Sequence, residues 1–247
     1  MRVLINGLGG YMGKEVARLA AQGLRGAELV GGADPNGSEL TLPCLKDIRD
    51  VRVEADVVID FSHHSGTDAL LEYCVANQLP LVLATTGQTD AERAAIKKAS
   101  ETIPVFFAAN FSLGIALLLE LAKKAAAALP GAEIEIVEAH HDRKLDAPSG
   151  TALSLAESIC SVRPNATIHA GRSGSGKRTP DEIGIHSVRM GNLVGSHEVL
   201  LGTQNETITL KHEAHSRAVF AEGALAAAEF LIGKPAGLYA MNDMIQM

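Results

Sequence analysis

The stretch RVLINGLGGYMG, residues 2–13, decides how the first part of this 247-residue chain folds. Val3–Ile5 is a short apolar run typical of a buried strand, and Lys14–Ala21 has apolar residues at helical spacing. Between them lie three glycines in a G-x-x-G-x-x-G pattern: Gly7, Gly10 and Gly13. Glycines at a strand-to-helix turn allow a sharp bend and let a pyrophosphate approach the helix N-terminus. The stretch therefore predicts a dinucleotide-binding unit.

A carboxylate at the end of the next strand supports this interpretation. Glu28–Ala33 reads as the second strand, and Asp34 follows it about 20 residues after Gly13, where a carboxylate can bind an adenosine ribose. Asp34 also precedes Pro35 in a turn-forming cluster, so a turn-initiating aspartate is the alternative interpretation.

Strands and helices then alternate up to residue 107. The predicted strands are Val57–Phe61, Leu81–Ala84 and Pro104–Phe107, and the predicted helices are Gly66–Ala76 and Thr89–Ala99. Apolar strands separated by helices predict a parallel, doubly wound α/β sheet of the Rossmann type.

The pattern changes in the second half, where we expect an α+β region with an open mixed sheet. Glu133–Ala139 alternates polar and apolar residues, as a half-exposed antiparallel strand does. Arg163–Asp181 is rich in glycine, serine and charge and is expected to be a long mobile loop. Three strands should then form a meander: Ile183–Met190, Leu193–Leu201 and Glu206–His212. Helices are expected at Leu113–Leu129, Ser149–Val162 and Arg217–Ile232.

Composition excludes several function classes. The net charge is −7, aromatic residues make up 4% and tryptophan is absent, so a nucleic-acid partner is disfavoured. Three scattered cysteines without a C-x-x-C pair argue against disulfides and against a zinc site. No apolar stretch has membrane-spanning length and no signal-peptide pattern begins the chain, so a cytoplasmic protein without a membrane partner is expected.

The stretch EAHHDRKLDAPSGTA, residues 138–152, predicts the chemistry. His140 and His141 follow a strand, so their side chains should point to opposite sides. Lys144 adds a cation, and Ser149 opens a helix whose first N–H groups can bind a carboxylate. A structural histidine pair, a solvated Lys144 and a plain N-cap at Ser149 are the alternatives. A zinc site lacks further ligands, and a serine hydrolase lacks the G-x-S-x-G turn.

These motifs resemble the bacterial 4-hydroxy-tetrahydrodipicolinate reductase family over nearly the whole chain. Besides the glycine motif and residues 138–152, the matching blocks run in order: Asp60-Phe61-Ser62, Thr85-Thr86-Gly87, Asn110-Phe111-Ser112-x-Gly114, Val188-Arg189-x-Gly191-x-x-Val194-Gly195-x-His197, Ser216-Arg217 and Gly237-Leu238-Tyr239-x-Met241.

The resemblance implies a role for each site residue. His140 would be the catalytic proton donor or would shape the transition state, and Lys144 would be the second acid. The substrate, a small dicarboxylate, would be bound by His141, Ser149, Gly150, Thr151 and Arg217. The cofactor, NADH or NADPH, would be held by Gly7, Gly10, Tyr11, Met12, Gly13, Asp34, Phe61, Thr85, Thr86, Gly87, Ala109, Asn110 and Phe111. No metal is implied.

The resemblance also implies the domain organisation. Residues 1–109 would bind the dinucleotide, completed by residues 217–247, and residues 110–216 would bind substrate and join subunits into a homotetramer. The unpaired edges of the predicted open sheet independently favour self-association.

The sequence departs from the family pattern at two positions near the cofactor. Family members that use NADPH often carry cations at the positions of Tyr11 and Pro35, so a 2′-phosphate would meet Asp34 without its usual partner. Lys14 or Lys46 could compensate in part. We therefore expect NADH to bind at least as well as NADPH. Two other functions stay open on the same fold: a non-catalytic dinucleotide sensor, and a related dehydrogenase acting on aspartate or diaminopimelate.

Overall fold

A computed structural model describes residues 1–245 of the chain, which form two compact units. The first unit comprises Met1–Ser112 together with the described part of Ala218–Met247. The second unit comprises Leu113–Arg217.

The first unit mostly alternates strands and helices, and the second ends in a run of four strands. In chain order they are β1 (Arg2–Asn6), α1 (Tyr11–Ala21), β2 (Glu28–Ala33), β3 (Cys44–Leu45), β4 (Val57–Asp60), α2 (Thr67–Ala76), β5 (Leu81–Leu83), α3 (Asp90–Ala99), β6 (Pro104–Phe107), α4 (Leu113–Ala128), β7 (Glu133–His140), α5 (Gly150–Cys160), β8 (Thr167–Ala170), β9 (Glu182–Arg189), β10 (Gly195–Gly202), β11 (Thr207–Ala214), α6 (Ala218–Leu231) and β12 (Gly237–Tyr239).

The first unit is built on one parallel sheet, with strand order β12-β6-β5-β4-β1-β2-β3. Helices α2 and α3 pack on one face of this sheet, and α1 and α6 contact each other and its central strands. The chain leaves β1 in one direction for β2 and returns to its other side for β4. A crevice therefore opens beside the carboxyl ends of β1 and β4, where ligands bind in this type of sheet.

The predicted doubly wound sheet and the open mixed sheet are both confirmed. Local signals place several element ends well. Helix α3, for example, begins after Thr89, whose hydroxyl accepts the Glu92 N–H at 3.3 Å while the Glu92 carboxylate accepts the Thr89 N–H at 2.6 Å. This reciprocal cap is encoded by two residues three positions apart. The short edge strands β3 and β12 were not predicted, because each is too short to carry a periodic signal.

The second unit packs α4 and α5 against one face of a mixed sheet. Its strand order is β11-β10-β7-β9-β8, in which β7 runs antiparallel to β10 and parallel to β9. On β7, Ile134 and Ile136 enter the core, and Glu138 and His140 follow on the same side. Because the side-chain period of a strand is two, two polar groups are placed at the end of an apolar row.

The predicted meander is wrong. Strands β10 and β11 do form a hairpin, but β9 and β10 are not neighbours, because β7 lies between them. The link at residues 190–194 is long enough to pass over one intervening strand, a distance of roughly 10 Å. Its ends bond to the last residue of β7 and to the residue after it: the Met190 N–H donates to the His140 carbonyl, and the His141 N–H donates to the Leu193 carbonyl.

The prediction that Arg163–Asp181 is one long loop is wrong. It contains β8, which pairs in parallel with β9. Two arginines from this segment are fixed on neighbouring carboxylates, Arg172 on Glu182 and Arg178 on Glu135. The charged side chains of this segment suggest a solvated loop, but in the structure they stabilise the edge of a sheet. Composition alone does not distinguish the two cases.

Candidate functional site

The glycine motif of the first unit forms a tight strand-to-helix turn. Gly7 has φ +86°, and a Cβ at this position would lie 2.6 Å from the Phe61 carbonyl oxygen. A Cβ at Gly13 would lie 2.1 Å from the Gly7 carbonyl oxygen. The turn delivers the chain to the start of α1, where Gly10 is the N-cap without any side-chain cap. No capping side chain therefore occupies the N-terminus of α1, the end of a helix at which anions bind.

Asp34 is tied to this turn. It is buried, and its two carboxylate oxygens accept backbone N–H groups from Gly9 at 3.0 Å and Asn36 at 2.9 Å. The bond from Asn36 is the turn-forming contact of the alternative interpretation, whereas the bond from Gly9 joins Asp34 to the glycine loop. Since a carboxylate has about four acceptor sites, these two bonds leave capacity for ribose hydroxyls.

A cavity of about 420 Å³ lies at this end of the sheet, within the first unit. Four of the predicted cofactor residues line it: Gly7, Gly10, Asp34 and Phe61. Lys46, an exposed residue after β3, lines the same cavity. Lys14 instead lies 3.5 Å from the Glu39 carboxylate.

A buried polar group braces the crevice between β1 and β4. Asp60 is 2% exposed and accepts hydrogen bonds from the Asn6 amide at 2.7 Å and the Ser62 hydroxyl at 2.6 Å. Burial raises the pKa of the Asp60 carboxyl, and these bonds oppose that effect. The contacts hold the strand ends that carry Gly7 and Phe61 in register.

The other predicted cofactor residues lie at adjoining positions of the first unit. Thr85, Thr86 and Gly87 follow β5, and Gly87 is exposed with φ +92°. Ala109 and Asn110 follow β6, and the Asn110 side chain accepts the Ser112 N–H at 2.8 Å. The Phe111 ring is buried 6.3 Å from the Phe61 ring. Tyr11 is 64% exposed and Met12 half-buried in the first turn of α1.

The second unit places His140 beside a buried carboxylate. His140 is the last residue of β7, and its Nδ1 lies 2.6 Å from Oε2 of Glu138, which is fully buried. Burial lowers the pKa of His140, and the Glu138 carboxylate counteracts this, while the charges of Lys144 and Arg189 lower the pKa further. Lys144 is thus one of the charges that act on His140.

Glu138 is ionised because of its partners. Burial alone would raise its pKa, but hydrogen bonds from Arg189, Ser187 and His140 outweigh burial and hold the pKa at about 2. Arg189 donates to both oxygens, at 2.9 and 2.7 Å. A buried carboxylate with a bidentate guanidinium is a strong, geometrically specific pair.

A second histidine packs against the first. The His197 ring, on β10, meets the His140 ring edge to face at 5.1 Å, and its Nε2 lies 3.2 Å from the Ser149 hydroxyl. Burial, then the nearby charge of His140, lowers the pKa of His197 to about 4. His197 is therefore neutral near neutral pH. Ser149 also accepts the Ala152 N–H at 3.3 Å, so it is the N-cap of α5.

Lys144 lies in the short connection between β7 and α5. Its ammonium is 2.8 Å from the Asp146 carboxylate and its side chain is 23% exposed. Arg189 donates to the Asp146 carbonyl at 2.7 Å, so the arginine that holds Glu138 also fixes this connection. Lys144 is thus a partly exposed cation that is paired with a carboxylate.

The predicted substrate-binding residues have different surroundings. Gly150 is exposed at the first position of α5, with open space around its Cα. Thr151 follows it in the first helical turn. His141 is half-buried, and its Nδ1 has no hydrogen-bond partner among residues 1–245. Arg217 is exposed at the end of the second unit, after β11.

Sequence reasoning from the residues gave no role to Glu138, Arg189 or His197. Glu138 had a signal, since its position two residues before His140 puts both side chains on one face of β7. Arg189 and His197 had no such signal beyond the family motif. They come close to Glu138 and His140 only because β7 pairs with β9 and β10.

Two further features concern membranes and metal ions. Within residues 1–245, no helix is both long and apolar enough to cross a membrane. In the same part of the chain, no three histidine, cysteine or acidic side chains converge to hold a metal ion.

Comparison with known proteins decides the family. Models for the N-terminal and C-terminal parts of dihydrodipicolinate reductase match residues 1–111 and 114–245. The chain belongs to the dihydrodipicolinate reductase family. It is 46% identical to 4-hydroxy-tetrahydrodipicolinate reductase from Caldanaerobacter subterraneus subsp. tengcongensis over 100% of this chain and 98% of that one. It is 43% identical to the enzyme of the same name from Clostridium novyi, covering 99% and 98%.

Among solved structures, the chain is similar to dipicolinate-bound dihydrodipicolinate reductase from Paenisporosarcina sp. TG-14. The TM-score is 0.84 at 29% identity, with 99% of each chain covered. Full-length similarity to proteins of one activity favours a pyridine-nucleotide-dependent reductase over the sensor and over the aspartate or diaminopimelate dehydrogenases.

Proposed function

We propose that the chain reduces 4-hydroxy-tetrahydrodipicolinate to tetrahydrodipicolinate with a reduced pyridine nucleotide, in diaminopimelate and lysine biosynthesis. One substrate, one NAD(P)H and one proton give tetrahydrodipicolinate, NAD(P)⁺ and water. The observation that carries the proposal is the arrangement in the second unit. Two proton-carrying side chains, His140 and Lys144, there adjoin the start of a helix that can bind an anion.

His140 and Lys144 would divide the acid chemistry. His140 would donate a proton to the substrate or stabilise negative charge that develops in the transition state. Lys144 would be the second acid and protonate the ring carbon or imine after hydride transfer. The Lys144 ammonium is paired with Asp146, so a substrate carboxylate would compete with Asp146 for the same cation.

The substrate carboxylates would be bound near the start of α5. The N–H groups of Gly150 and Thr151 belong to the first helical turn, where the helix dipole favours an anion. Gly150 has no side chain to block the approach. His141, Ser149 and Arg217 would complete the site. A solved relative holds dipicolinate, a small dicarboxylate, which supports this substrate class.

The first unit fits a dinucleotide. The glycine turn provides a surface without Cβ atoms, and α1 begins with no capping side chain. Gly7, Gly10 and Gly13 would hold the pyrophosphate, while the residues after β5 and β6, from Thr85 to Gly87 and from Ala109 to Phe111, would hold the nicotinamide. The bound nicotinamide would supply the hydride.

We also propose that NADH binds at least as well as NADPH. Asp34 is fixed by two backbone N–H groups, so it cannot easily turn away from a 2′-phosphate. The cation that could offset the repulsion is Lys46, which lines the same cavity. Lys14 is already paired with Glu39.

A homotetramer in the cytoplasm is the proposed state of the protein. Helices cover one face of the second sheet, and the other carries half-buried or exposed side chains, among them Val137, Val188 and Leu200. Such a face and the edges at β8 and β11 favour pairing with other subunits. Light scattering at micromolar concentration should give four copies, and Leu200→Asp should lower the mass. A stable wild-type monomer would refute the assembly.

The function is tested by following reduced-nicotinamide absorbance with three substrates. Freshly prepared 4-hydroxy-tetrahydrodipicolinate should support turnover, whereas oxaloacetate and the keto precursor of diaminopimelate, each supplied with ammonia, should not. Turnover with one of the latter only would identify a related dehydrogenase. Dinucleotide binding without turnover of any of the three would identify a sensor.

A further inference from the structure

We propose that Glu138 is a positioning residue that fixes the proton of His140 to one ring nitrogen and aligns His140 with the start of α5. The proposal deepens the role given to His140 above and rests on that proposed function for its catalytic consequence. Its structural content, the coupling of Glu138 to His140, is tested separately below.

In addition to Ser187, donors from His140, Arg189 and Ser149 converge on the Glu138 carboxylate. Oε2 receives His140 Nδ1 at 2.6 Å and one Arg189 nitrogen at 2.9 Å. Oε1 receives the other Arg189 nitrogen at 2.7 Å and the Ser149 backbone N–H at 3.2 Å. One carboxylate thus contacts the proposed proton donor and the residue that begins the anion-binding helix. A fully buried carboxylate with this many donors has little freedom to move.

These contacts settle the tautomer of His140. An ionised carboxylate is only an acceptor, so the Nδ1 atom beside it must carry a hydrogen. Neutral His140 is then protonated at Nδ1 and has a lone pair at Nε2, and the proton that His140 exchanges with a ligand is held at Nε2.

The surroundings of Nε2 agree with this assignment. A Cβ on Gly195 would lie 3.0 Å from the Nε2 atom, so the missing side chain of Gly195 leaves space there. His197 packs edge to face on the ring and stays neutral near neutral pH, so it does not add a competing charge. The ring is therefore held at one nitrogen and open at the other.

Glu138 and Arg189 act on His140 in opposite directions. The anion stabilises the imidazolium and the cation destabilises it, and both groups are held in the same buried pair. Removing the anion should make His140 harder to protonate. Removing the cation should make it easier. A residue with a merely structural role would not produce this pair of opposite effects.

The direct experiment is a histidine NMR titration of the full chain, with His140 assigned by comparison with His140→Gln. We expect the titration midpoint of His140 to move to lower pH in Glu138→Gln and to higher pH in Arg189→Gln. Glu133→Gln changes an exposed carboxylate on the same strand and should leave the midpoint unchanged. Unchanged midpoints in both test variants would overturn the proposal. If Glu138→Gln does not fold, Arg189→Gln decides the question alone.

Activity provides the second readout. Glu138→Gln should lower kcat by about tenfold or more and move the basic limb of the pH profile to lower pH, because less His140 is protonated. Glu138→Asp keeps the charge and should recover part of kcat. A folded Glu138→Gln with the wild-type kcat and pH profile would overturn the positioning role. If instead His140→Gln is fully active, the proposed function of His140 fails, while the NMR titration still decides whether Glu138 controls the ring.

Discussion

Two regions of the molecule are built in different ways. One is the glycine turn of the first unit, with Gly7, Gly10 and Gly13. The other is the histidine cluster of the second unit, with Glu138, His140, Arg189 and His197. The glycine turn requires residues without side chains, because a Cβ at Gly13 would lie 2.1 Å from a backbone oxygen. The histidine cluster works through buried charge, with Glu138 fully enclosed by donors from three parts of the chain. Substitutions in the glycine turn should therefore act through steric fit. Substitutions in the histidine cluster should act through electrostatics, and their effects should depend on pH.

The largest effect should come from the side chains that carry protons. His140→Gln and Lys144→Ala should each lower turnover by roughly 10²-fold or more, the usual scale for a lost proton-transfer group. Arg143→Gln is the matched control, because Arg143 is an exposed cation between them that pairs with Asp142 and Asn192. Dinucleotide affinity should be unchanged in all three. Near wild-type turnover in folded His140→Gln and Lys144→Ala would contradict the assignment.

A shape effect should follow in the first unit. Gly13→Ala should destabilise the protein by about 1–3 kcal/mol through overpacking, and weaken dinucleotide binding as the turn shifts. For a chain of this length, each kcal/mol lowers Tm by about 2–4 °C. Gly131→Ala is the control, since its Cβ would meet no atom within 4 Å. Thermal unfolding and calorimetric titration measure both effects, and equal behaviour of the two variants would count against the role of Gly13.

The cofactor preference should respond to charge at the ribose. Asp34→Asn keeps an acceptor oxygen for the glycine loop and removes the negative charge. The affinity for NADPH relative to that for NADH should therefore rise by about tenfold to a hundredfold. Lys46→Met should shift the ratio the other way. Asp50→Asn, outside the cavity, should change nothing. Calorimetry at one salt concentration compares the nucleotides. A wild-type preference for NADPH, or no change in Asp34→Asn, would refute the argument.

Acid should unfold the second unit through two groups in sequence. The pKa of His197 is lowered from 6.5 to about 4, so the unfolded chain binds this proton more readily, and stability falls between about pH 6.5 and 4. The pKa of Glu138 is lowered from 4.5 to about 2, so its contribution is present above pH 4.5 and is lost on the way to pH 2. Each group accounts for up to about 3 kcal/mol at 1.36 kcal/mol per pH unit.

Hydrogen exchange of amides in β7 and β10 measures this loss. His197→Gln should abolish the upper part of the pH dependence and leave the lower part intact. An unchanged profile between pH 6.5 and 4 in this variant would show that His197 is not the group responsible.

The two regions also differ in how far the sequence predicts them. The glycine turn, Asp34 and the strand ends around them are local, so spacing alone located them. The histidine cluster needs β7 to lie between β9 and β10, an arrangement that the short link at residues 190–194 concealed and that made the predicted meander wrong. Arg189 and His197 reach Glu138 and His140 only through that register. Sequence periodicity predicts which face of a strand is buried, but it does not give the order of strands in a mixed sheet.

The central claim is that this chain transfers a hydride to the ring of 4-hydroxy-tetrahydrodipicolinate with loss of water. A single turnover with NADH carrying deuterium at both hydrogens of the nicotinamide C4 tests it most directly. We predict that mass spectrometry of the product will show tetrahydrodipicolinate with one deuterium, formed at a rate that falls at least about a hundredfold in His140→Gln. A product without deuterium, or one formed equally fast by His140→Gln, would contradict the account.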